Sequence, residues 1–84
     1  MADLAIPTIH LNGTSKESLV ESLCEAIHAI HEAGRALAQT CPNGRDYYPQ
    51  GNTAIQWALD QHEARMNKLR EVATELEQIA EKIC

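Results

Sequence analysis

The chain has 84 residues, with 7 Lys and Arg against 12 Asp and Glu and a formal net charge of −5. That length holds one small domain, and that charge excludes a protein that wraps DNA or RNA, because neutralising many phosphates takes clustered cations. Hydrophobic residues make up 44 % of the chain, with no Phe, two Tyr and one Trp, so the composition favours helix over strand.

The apolar runs are only a few residues long, too short for a membrane span. Met1 to Leu11 has neither the basic nor the apolar region of a secretory signal, so none is expected. Cys24, Cys41 and Cys84 form an odd set without paired spacing, which suits a reducing cytoplasm.

Residues 1–13 read as an extended arm. Ile9 and Leu11 alternate with Thr8 and His10, the period of a strand, and Pro7 confines such a strand to an edge. Asn12-Gly13 is a turn signal. Thr14 followed by Glu17 is a capping-box pattern, and a first helix is predicted over 15–39. Its apolar residues Leu19, Leu23, Ala26, Ile30, Ala33 and Leu37 are spaced 4-3-4-3-4, with Val20, Ile27 and Gly34 as a second row beside them. A helical Gly costs up to about 1 kcal/mol relative to Ala. Gly34 therefore either admits another backbone at close range or is simply tolerated.

Residues 41–52, CPNGRDYYPQGN, form a loop between Pro-Gly turn signals. A second helix is predicted over 53–83, with Asn52 or Thr53 as its N-cap. It carries Ile55, Leu59, His62, Met66, Leu69, Ala73, Leu76, Ala80 and Ile83 in unbroken 4-3 alternation, a seam for packing against another helix. Val72 and Ile79 widen that stripe.

The expected fold is therefore all-α: one domain, a long antiparallel two-helix hairpin with a short N-terminal extended arm. Two helices alone cannot cover stripes this wide, so the hairpins are expected to pair into a dimer, a four-helix bundle or a larger assembly.

Tyr47, Tyr48 and Trp57, all the aromatic residues of the chain, lie in the loop or within about one turn beyond it. Trp57 falls between the seam positions Ile55 and Leu59 and so faces away from the seam. The candidate ligand site is Asn43, Gly44, Arg45, Asp46, Tyr47, Tyr48, Gln50 and Trp57. Arg45 offers a planar fork for a phosphate or carboxylate, and backbone N–H groups near Gly44 can face the same anion. The rings can stack on a planar base, and Asp46 can accept hydrogen bonds from a sugar or base edge. The competing reading is structural: the tyrosines close the open end of the hairpin, and Arg45 pairs with Asp46.

Cys24, His28 and His31 follow one face of the first helix, with His62 opposite on the second. Such residues can bind zinc, but a seam histidine more often fixes register, so no metal or other cofactor is assigned. No nucleophile–base pair, metal quartet or phosphate loop is visible, and the expectation is a protein that is not an enzyme.

The segments IHLNGTS (9–15) and NGRDYYPQG (43–51), followed by Ala58, His62 and Arg65, resemble a family of small proteins of tailed bacteriophages and prophages. The resemblance implies expression in the bacterial host cytoplasm and assigns no catalytic residue. An oligomerising helical hairpin that binds through its loop is also similar in layout to phage anti-defence sponges, which sequester nucleotide signals of bacterial immunity. That likeness implies a small anionic nucleotide as ligand. The alternative partner is a host or virion protein that docks on the same loop.

Overall fold

The computed structural model describes residues 3–83. Residues 1 and 2 of the arm, and Cys84, lie outside the described residues. Three α-helices follow in order: α1 Lys16–Ala38, α2 Gly44–Tyr47 and α3 Ala54–Ile83, with a 3₁₀ turn at Tyr48–Gln50 between α2 and α3. The architecture is all-helical, and its main contact is α1 on α3.

The described part of the arm forms no strand. A strand needs a neighbour to pair with, and the arm closes instead in a turn, with Gly13 N donating to His10 O at 3.1 Å. The start of α1 also differs from the capping-box reading. Ser15, at φ −65° and ψ 152°, is the N-cap, and its Oγ accepts from Ser18 N at 3.2 Å. Ser15 rather than Thr14 takes the cap: its carbonyl accepts the first helical bond, from Leu19 N at 3.0 Å, and its hydroxyl accepts from the amide of Ser18.

Helix α1 stops at Ala38. The amides of Gln39, Thr40 and Cys41 turn back to the carbonyls of Ala36, Leu37 and Ala38, and Thr40 Oγ1 donates to Leu37 O at 2.7 Å. Pro42 then has no N–H with which to continue the ladder. At the other end of the loop, Trp57 N donates to Thr53 O at 3.1 Å, so Thr53 holds the position just before α3.

The seam of α3 is seated as its spacing requires. Each of its nine apolar-stripe positions, from Ile55 to Ile83, is at least half-buried, and His62, Ala73 and Ile83 are the buried residues of α3. Helix α1 corrects the expectation at one point: Gly34 is half-buried and Ala33 is exposed. At 3.6 residues per turn, Gly34 lies about 40° from Ile30, whereas Ala33 lies about 60° to the other side. The contact face of α1 leans toward the Val20–Ile27–Gly34 row, and all three of these residues are half-buried. Val72, on α3, remains 47 % exposed.

The result is a rod of 62 × 25 × 16 Å with a radius of gyration of 18.3 Å, against about 12 Å for a compact domain of this length. A two-helix layer has one seam and no interior. Ala73 and Ile83 are the buried hydrophobic residues of the described chain. No helix among the described residues is long and apolar enough to cross a membrane.

Candidate functional site

The segment 41–52 is more ordered than a plain loop. Asn43, at φ −115° and ψ 133°, caps α2: its Oδ1 accepts from Arg45 N at 2.9 Å, and its carbonyl accepts from Asp46 N at 3.0 Å. Pro49 sits in the first turn of the 3₁₀ segment, and Gly51 N closes that segment on Tyr48 O at 3.2 Å. Gly51 itself has φ 111° and ψ 169°, a conformation that a residue with a Cβ rarely adopts. Both short turns contact α3. Two internal caps, a proline and a left-handed glycine therefore hold the candidate residues in one arrangement, which lowers the entropy lost on binding.

The structure ranks the eight candidates. Tyr48 is 77 % exposed and Trp57 69 % exposed, so these two rings are free to stack on a ligand. Tyr47 is half-buried. Asn43, Gly44, Arg45, Asp46 and Gln50 are exposed. Among the described residues the ion pairs are His31 with Glu77 and Arg35 with Glu32. Arg45 and Asp46 are therefore not paired with each other. The backbone contribution is narrower than the sequence suggested, because the cap on Asn43 already engages the N–H groups of Arg45 and Asp46. A phosphate at this end would meet the Arg45 guanidinium first.

The cysteine and histidine candidates separate. Cys24 is a free, exposed thiol, and His28 and His31 are exposed. His62 is buried at the seam. Among the described residues no group of three or more His, Cys, Asp or Glu is placed to hold a metal ion. A cleft of about 470 Å³ below the loop is lined by Cys41, Leu59, Asp60, His62, Glu63 and Met66, among others. Arg70 also lines it, beside the carboxylates of Asp60 and Glu63.

The sequence did not point to a second feature. A groove of about 490 Å³ runs between α1 and α3 past Gly34, and Ile30, Ala38, Met66, Leu69 and Ala73 form its apolar walls. His31, Arg35, Arg70 and Glu77 stand at its rim. A Cβ placed on Gly34 would meet nothing within 4 Å. The glycine therefore makes no room for any part of its own chain. The available signal was the Val20–Ile27–Gly34 row, which continues an apolar flank onto a residue without a side chain.

Comparison with protein-family models, curated proteins and solved structures finds no match to this chain.

Proposed function

We propose that the protein is a non-catalytic binding module, a helical hairpin that works as an oligomer and sequesters a small phosphorylated signalling nucleotide of anti-phage defence in a bacterial cytoplasm. The observation that carries this reading is the loop end of the hairpin. There an exposed Arg45, in no ion pair among the described residues, shares a capped, proline-braced turn with the exposed ring of Tyr48, and Trp57 stands exposed one turn into α3. A cation fork next to stacking rings matches the two halves of a nucleotide, phosphate and base. Asp46, also unpaired, adds an acceptor for a ribose hydroxyl or an exocyclic amine. Capture needs stoichiometric binding and no turnover. The phage-like segments 9–15 and 43–51 support the same biological setting.

A thermal-shift and calorimetry screen against cyclic di- and trinucleotides and ADP-ribose derivatives tests the proposal. A ligand at about a hundred times its Kd stabilises the fold by about 2.7 kcal/mol. Arg45→Ala and Tyr48→Ala should each remove that shift and leave the sedimentation behaviour unchanged.

The second reading, a phage interaction or assembly module docking on a host or virion protein, is favoured by the open setting of the rings. Tyr48 and Trp57 project into solvent, whereas small-molecule sites are usually concave. Tyr, Trp and Arg are also the residues that dominate protein interfaces. If no nucleotide shifts the melting curve, this reading replaces the first.

A further inference from the structure

We propose that the groove over Gly34 is the seat of a second copy of this chain, packed face to face about a two-fold axis at the level of Gly34 and Thr74. This specifies the assembly in the proposal above and stands whether or not the loop binds a nucleotide.

The first argument is area. The chain exposes 6539 Å², whereas a folded monomer of this mass exposes about 5,000 Å². The excess of about 1,500 Å² lies within the roughly 1,000–2,500 Å² that each partner contributes to an obligate dimer interface. Part of that area lies along the groove, where Ile30, Met66 and Leu69 are half-buried beside an open channel; the exposed large hydrophobics Ile6, Ile9, Leu11, Tyr48, Trp57 and Val72 lie outside its lining. Gly34 lies in that channel with no atom of its own chain near the position a Cβ would take. A glycine in mid-helix that admits nothing of its own chain fits close approach by a helix of another copy.

The second argument is charge. His31 and Glu77 are level with each other across the hairpin, at 4.0 Å. Counting three residues along each antiparallel helix from that pair brings Gly34 level with Thr74. Arg70 and Glu77, both on the groove rim, stand about 10.5 Å apart along α3 at 1.5 Å per residue. The midpoint between them falls beside Thr74. A two-fold axis across the hairpin at that level therefore sets Gly34 against Gly34 of the second copy. The same operation sets Arg70 against Glu77 of the second copy and Glu77 against its Arg70. An isologous interface requires a self-complementary patch; Arg70 and Glu77 meet that requirement on α3, while the axis brings Arg35 of α1 beside its own copy.

Sedimentation equilibrium of the full chain, with far-UV circular dichroism as a check on folding, tests the proposal. The wild type is expected to associate at micromolar concentration. Gly34→Leu, whose side chain has room in the single hairpin, should retain helicity and raise the dissociation constant by about tenfold or more. Gly34→Ala, the gentler variant, should weaken association in the same direction. Arg70→Glu and Glu77→Arg should each weaken association, and the double exchange should restore it to near the wild-type value. A monomeric wild type overturns the proposal. So does an oligomer that Gly34→Leu and Arg70→Glu leave unchanged, because the copies then meet on another face. Weakening by both single charge reversals without recovery in the double exchange overturns the two-fold register.

Discussion

His31 Nε2 on α1 stands 4.0 Å from Glu77 Oε1 on α3, with both side chains more than half exposed. The pair marks the register of the hairpin, but the register is set beneath it, where Ile30 and Ala73 line the same stretch of the interhelical face. Exposed ion pairs contribute about 0–1 kcal/mol, because solvent screens them and two side chains must be held still. A double-mutant cycle of His31→Ala and Glu77→Ala is expected to give a coupling below about 1 kcal/mol in urea unfolding. A larger coupling would mean that the pair clamps the helices rather than reporting their position.

Gly51 and Gly44 should respond differently to the same substitution. Gly51 has φ 111°, so an alanine there is strained by about 1–3 kcal/mol. Gly44 opens α2 at an ordinary φ, and an added Cβ meets nothing within 4 Å. Denaturant midpoints should fall for Gly51→Ala and stay close to wild type for Gly44→Ala.

The N-terminus of α1 is capped by Ser15 Oγ on Ser18 N, and Thr14 makes no comparable bond to that amide. Ser15→Ala is expected to lower stability by about 1 kcal/mol, and Thr14→Ala by a few tenths. Circular dichroism melts of the two variants at matched concentration compare them directly. Equal losses would indicate that the chain also uses Thr14 as a cap.

The exposures of the three rings predict a division of labour at the loop. Tyr48→Ala and Trp57→Ala should each weaken a stacked nucleotide by about 1–3 kcal/mol and leave the melting temperature of the unliganded protein nearly unchanged. Tyr47→Ala, at a half-buried position, should instead lower the unliganded melting temperature. Calorimetric titration paired with melting curves separates the two effects. Retained affinity in both Tyr48→Ala and Trp57→Ala would place the ligand away from the loop.

The helical character, the full seam of α3 and the outward face of Trp57 were legible in the sequence. Each depends on a local period, and a repeat sustained from Ile55 to Ile83 specifies one face of a helix whatever lies opposite. The punctuation of the loop was legible too, since Pro42, Pro49 and Gly51 act on their own backbone. The short helix inside that loop was not, because α2 depends on Asn43 folding back on Arg45 N, a choice between turn geometries that composition leaves open.

Which flank of α1 meets α3 was decided by tertiary structure alone. Ala33 and Gly34 are both compatible with a heptad reading, and a straight helix drifts by about 20° per heptad against that repeat. Ala33 is exposed, whereas Val20, Ile27 and Gly34 are half-buried, and the groove between the helices opens beside Gly34. Periodicity assigns faces to single helices, but the space between two helices exists only after both have been placed, and only the folded hairpin leaves Gly34 facing empty space.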